Sequence, residues 1–151
     1  MSDLRELYQE MILDHGRNPR NYAAMPHAHR QAEGFNQLCG DRLTLYLKLE
    51  NGCINDISFT GSGCAISMAS ASLMAESLKG KTETEANIFF QNFHELLTTE
   101  KKLTLANLDF KKLTVFSGVK AYPARVKCAT LAWHTLHAAF AQKKEPISTE
   151  K

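Results

Sequence analysis

Cys39-Gly40-Asp41 sets a thiol and a carboxylate on either side of a residue without a Cβ, so a tight turn at Gly40 lets both converge on one point. Cys64 follows Gly61-Ser62-Gly63 and opens a run rich in Ala, Met and Leu. Its sulfur is therefore expected at a helix N-terminus, where unpaired N–H groups and the helix dipole favour thiolate. Cys128 is in phase with Leu131, Ala132, Leu136, Ala139 and Phe140, the core-facing stripe of a last helix. Three sulfurs and one oxygen form a tetrahedral donor set. It suits zinc, and equally an iron–sulfur cluster with one cysteine replaced, so the donors alone leave the metal open. A divalent ion with three thiolates and a carboxylate carries a local charge of about −2 that needs an offset. Arg125, one helical turn before Cys128, and Lys127, its neighbour, are the candidate cations. The plain alternative is a structural zinc site. An aspartate is a harder and more exchangeable donor than sulfur, which favours reactivity, and a closed site requires a ligand to leave before a thiol can attack.

These ligands need elements that bring them together. Leu43, Leu45, Leu47 and Leu49 alternate with Thr44, Tyr46, Lys48 and Glu50, the period of a half-buried strand. Asn51-Gly52 is the favoured two-residue turn, and Ile54 to Thr60 returns as an antiparallel partner, with Gly61-Ser62-Gly63 breaking it. The hairpin carries the chain from Asp41 back to the same sheet edge at Cys64. Helices are expected over Leu4 to Ile12, with a stop at His15-Gly16 and Asn18-Pro19; over Cys64 to Lys79, with Gly80 beyond; and after a Thr82/Glu85 capping box, with Ala86, Phe89, Phe90, Phe93, Leu96 and Leu97 as its apolar stripe. A last helix runs from Pro123 to about Gln142. Arg20 to Gln37 reads as loop with one irregular strand at most, and a short helix near Leu105 to Leu113 is compatible with the pattern. This is an α+β fold: a small antiparallel sheet of about three strands covered by helices. One domain over 1–142 precedes a polar tail at 143–151.

Other reactive side chains have plainer readings. Cys53, beside the Asn51-Gly52 turn, has no partner at ligand spacing and reads as a structural or surface thiol. His27 and His29 sit in an unpatterned loop and read as solvated, and His134 and His137 stay outside the site. Lys101-Lys102 and Lys111-Lys112 read as a solvated face, although a partner surface could use them.

Composition narrows the function classes. At 151 residues and 44% hydrophobic, the chain is long enough for one ordinary core. A net charge of +2 without a long basic run argues against nucleic acid. No segment approaches the ~20 apolar residues of a membrane span, and charges near Met1 interrupt any secretory apolar run. The expectation is a cytoplasmic protein whose four cysteines are metal ligands or reactive thiols rather than disulfides.

Taken together, Cys39-Gly40-Asp41, Gly61-Ser62-Gly63-Cys64-Ala65-Ile66-Ser67 and Tyr122-Pro123-Ala124-Arg125-Val126-Lys127-Cys128-Ala129-Thr130-Leu131-Ala132-Trp133 closely resemble the SufU branch of the IscU/NifU-like iron–sulfur cluster assembly proteins. Leu7-Tyr8-Gln9-Glu10, Ile12-Leu13-Asp14-His15 and Asn18-Pro19-Arg20-Asn21 are similar to that family's opening. IscU-type scaffolds carry histidine directly before the third cysteine, where this chain has Lys127, and the Thr82–Gly118 region looks like the SufU insertion. The resemblance implies metal ligation by Cys39, Asp41, Cys64 and Cys128, and a zinc-dependent sulfurtransferase that accepts persulfide sulfur on Cys39 from a SufS-like cysteine desulfurase. Arg125 would contact that partner, and the downstream iron–sulfur assembly machinery would receive the sulfur. A scaffold for a transient iron–sulfur cluster and a zinc-stabilised interaction module are the alternatives.

Overall fold

The structure is a computed structural model. It describes residues 2–37, 40–98, 115–116, 118–119, 122–142 and 146–148, with side chains from Gln9 onward. The elements run α1 (Ser2–Arg17), β1 (Arg30–Asn36), β2 (Asp41–Glu50), β3 (Cys53–Ser62), α2 (Ala65–Leu78), α3 (Glu83–Thr98), α4 (Pro123–Phe140) and β4 (Ile147–Ser148). The proposed helix near Leu105 to Leu113 lies outside the described residues.

The class is α+β, as the sequence indicates, but the sheet has four strands in the order β3-β2-β1-β4. The hairpin forms about the expected turn, with positive φ at both Asn51 and Gly52, which matches the twist of the flanking strands. Leu43, Leu45 and Leu47 are fully buried. Gly61 and Ser62 extend β3 instead of ending it, pairing with Leu43 and Arg42, so the hairpin reaches closer to Cys64 than the sequence suggests.

Two strands differ from expectation. Arg30–Asn36 is a regular strand, antiparallel to β2 from Arg30↔Leu47 to Asn36↔Asp41. Its inward residues are Ala32, Gly34 and Asn36, too small or too polar to announce a buried face. Gly34 is small because α4 packs against it: a Cβ there would collide with Thr135 Oγ1. Ile147 and Ser148, read as polar tail, form β4, which pairs parallel with Gly34 and Phe35.

Helices α2 and α4 pack against the sheet and each other, α1 packs on α2, and α3 on α4. The small side chains of α2 let its neighbours come close and offer hydroxyls to them. Ser70 Oγ donates to Ala129 O at 2.5 Å and accepts from Trp133 Nε1 at 3.2 Å, joining α2 to α4. Ser72 Oγ lies 2.7 Å from His15 Nδ1 and accepts from the Arg20 amide at 2.8 Å, tying α1 and its exit to the same helix. The expected capping box forms: Thr82 N–H donates to Glu85 Oε1 at 2.9 Å and Glu85 N–H to Thr82 Oγ1 at 3.1 Å. Phe93 stacks on Trp133 at 4.8 Å, fixing α3 to α4.

Candidate metal centre

At the end of the sheet, the Asp41 carboxylate, Cys64 Sγ and Cys128 Sγ offer ligand atoms that all lie within 4.8 Å of one another. Tetrahedral zinc, with Zn–S of about 2.3 Å, holds its donors about 3.5–3.8 Å apart. Cys64 Sγ and Asp41 Oδ2, at 3.9 Å, already approach that spacing. Each candidate ligand comes from a different element: the first residue of β2, the residue capping α2, and the second turn of α4. Cys39, the fourth expected ligand, lies outside the described residues; its neighbour Gly40 has φ +69° and donates its N–H to Gln37 O at 3.4 Å.

Asp41, 2% exposed, is held where β2 meets the start of α2. Its Oδ1 accepts from the Cys64 N–H at 2.8 Å. This arrangement needs a glycine at 63, because a Cβ there would collide with Oδ1 and lie 3.0 Å from the carboxylate carbon. Cys64 is the N-cap of α2, its sulfur accepting from the Ser67 N–H at 3.4 Å. Cys128 is 1% exposed, as its helical phase requires.

The electrostatics depart from expectation. Without a cation, burial pushes the Cys64 thiol above its ordinary range; the Ser67 N–H pulls it back, and the Asp41 carboxylate pushes it further up. The helix start alone does not make the thiolate, since desolvation and a like charge outweigh the Ser67 and Ile66 N–H groups and the Cys128 side chain. Arg125 is exposed, with its guanidinium 4.9 Å from the centre of the Tyr122 ring, and neither it nor Lys127 forms an ion pair with these ligands among the described residues. Among the described residues, neutral donors face these side chains, including the Cys64, Ile66 and Ser67 N–H groups and the Asn36 side chain.

Asn36, fully buried, was absent from the sequence-derived site. Its Nδ2 lies 3.5 Å from both Asp41 Oδ2 and Cys128 Sγ. The signal that would have found it is a polar residue at an inward position of β1 directly across from Asp41, legible only once β1 is recognised. Cys53 is half-buried and outside the cluster, as expected. His134 and His137 lie against Phe90 on the α3/α4 surface and also stay apart from it.

The NifU-like N terminal domain family matches residues 7–145. The chain belongs to that family. Among its relatives is a Bacillus subtilis protein named zinc-dependent sulfurtransferase SufU, 36% identical over 143 residues that cover 95% of each chain. Another is an iron–sulfur cluster assembly scaffold protein IscU from Thermotoga maritima, 41% identical over 143 residues, 93% of this chain and 96% of the relative. The crystal structure of FiSufU from Fervidobacterium islandicum AW-1 superposes with a TM-score of 0.80 at 37% identity, covering 86% of this chain and 93% of that one. This NifU-like chain is thus related in sequence both to a zinc-dependent sulfurtransferase and to cluster scaffolds. No helix among its described residues is long and apolar enough to cross a membrane.

Proposed function

We propose that the chain is a zinc-dependent sulfurtransferase of iron–sulfur cluster assembly, accepting persulfide sulfur from a SufS-like cysteine desulfurase and passing it to downstream assembly components. The observation that carries this reading is the donor set, in which a buried carboxylate and two thiols converge with no histidine among them. Cys39, adjacent to Gly40-Asp41, completes it. A bound zinc ion would keep the thiols ionised despite their burial and balance the carboxylate.

The chain's residues then have separate tasks. Cys64 and Cys128 are holders, anchored at a helix cap and in a buried helix turn. Cys39 is the acceptor: its thiolate attacks the outer sulfur of the desulfurase persulfide, the bond from that sulfur to the desulfurase cysteine breaks, and the electron pair leaves as the desulfurase thiolate. The persulfide now resides on Cys39, with no net oxidation. Arg125, exposed on the first turns of α4, is available for desulfurase contact. The relationship to the Thermotoga maritima scaffold supports a second reading, assembly of a transient cluster on the same ligands.

Desulfurase turnover with wild type, Cys39→Ala and Arg125→Ala, together with metal content, separates these readings. Sulfur transfer predicts a colourless protein with about one zinc per chain, loss of stimulated turnover in Cys39→Ala, and loss in Arg125→Ala with zinc retained. Unchanged turnover with Cys39→Ala refutes the acceptor role. Stable visible absorption after anaerobic addition of iron and sulfide favours the scaffold.

A further inference from the structure

Asn36 ends β1 on the inward side, and the strand register sets it opposite Asp41. A fully buried carboxamide is costly unless hydrogen-bonded. Here its nitrogen lies at 3.5 Å from both an Asp41 oxygen and the Cys128 sulfur. A carboxamide nitrogen carries two protons and no available lone pair, so it can donate to both without itself ligating a metal. The reverse orientation would aim a carbonyl oxygen at a carboxylate and a sulfur, so the hydrogen-bonding pattern selects the nitrogen.

We propose that Asn36 is a positioning residue for the metal centre, tying the carboxylate ligand of β2 to the thiolate ligand of α4 through two N–H donors. The inference rests on the reading of Asp41, Cys64 and Cys128 as metal ligands. Its chemistry answers the charge problem in a way neither Arg125 nor Lys127 does. A neutral donor lowers the repulsion between two anionic ligands without burying a cation, and without becoming a rival ligand as histidine or aspartate would. The same N–H withdraws electron density from the Cys128 sulfur and lowers its nucleophilicity. Asn36 thereby helps keep Cys128 a holder and leaves persulfide chemistry to Cys39.

Two measurements test this. The first is zinc affinity by competition with a chromophoric chelator for wild type, Asn36→Ala and Asn36→Leu, alongside melting of the metal-free forms. Losing the donors should weaken zinc by about 10- to 100-fold, while metal-free Asn36→Leu, which exchanges a buried amide for a side chain of similar size, still melts as a cooperatively folded protein. The second uses wild type loaded with a spin-active cadmium isotope. Scalar coupling from the metal through sulfur to an Asn36 side-chain amide proton should be visible by NMR. Zinc affinity unchanged in both folded variants, or no coupling to either Asn36 proton, overturns the inference. If neither variant folds, the cadmium spectrum decides alone. Wild type that binds neither zinc nor cadmium refutes the reading of the site itself, a different failure.

Discussion

Replacing Gly63 with alanine places a methyl group on the Asp41 carboxylate. The new Cβ would overlap Oδ1, closer than real Cβ contacts come, and stand 3.0 Å from Cγ and 3.1 Å from the Asp41 Cα, tighter than most of them. Asp41 has little room to yield, being 2% exposed and held at 2.8 Å by the Cys64 N–H. The contact that must give is that hydrogen bond. A bond to a charged group is worth about 1.5–3 kcal/mol, which corresponds to about 10- to 150-fold in metal affinity. Folding suffers less, because alanine lowers the entropy of the unfolded chain by about 0.4–1 kcal/mol and offsets part of the strain. Gly63→Ala is therefore expected to melt close to wild type without metal while losing zinc at much lower chelator concentrations. Gly118→Ala is the control: its Cβ meets nothing within 4 Å and should leave zinc affinity unchanged. Zinc affinity in Gly63→Ala equal to that of the control would refute the argument that the empty space at 63 belongs to Asp41.

Ser70→Ala removes the acceptor of the buried Trp133 indole N–H. Denaturant titration should show a loss of about 1–3 kcal/mol, with a fall of about 2–4 °C in Tm for each kcal/mol. Gly34→Ala forces a methyl group into Thr135 Oγ1; the urea midpoint should fall by an amount equivalent to about 1–3 kcal/mol, and Thr135→Ala in the same chain should restore most of it. His134 is held below its ordinary pKa chiefly by burial, with His94 and His137 adding like charge. The folded state therefore prefers the neutral ring, and its contribution to stability is present above the ordinary histidine pKa and lost as pH falls through it toward the folded value. Chemical denaturation from about pH 7 down to about pH 5 should show a smaller loss of stability in His134→Gln than in wild type.

Much of the site was legible because local chemistry and tertiary packing agree in those stretches. Strict leucine alternation and Asn51-Gly52 specify the hairpin, and the hairpin brings Asp41 to Cys64. The apolar phase of α4 buries Cys128, and Thr82 with Glu85 caps α3 as their spacing indicates. What was hidden depends on contacts between distant segments. β1 presents Ala32, Gly34 and Asn36 inward because α4 and the ligands already fill the space, so the residues that adapt to the fold lose the pattern that would reveal them. A two-residue strand such as β4 carries too little pattern to register. The behaviour of Cys64 follows from a balance between burial and N–H donation that helix position alone cannot weigh.

The Ser70 bridge has a consequence for the candidate site. Cys64 and Cys128 sit on α2 and α4, and those helices are fastened by Ser70 to Ala129 and Trp133 through bonds that involve no ligand atom. Small zinc modules of the finger type collapse when stripped of their ion, because the ion is their core. Here the helices that carry the two thiols have a fastening of their own. A candidate site fastened in this way is expected to keep its shape without an ion, so that metal binding would not have to carry the cost of ordering the two helices.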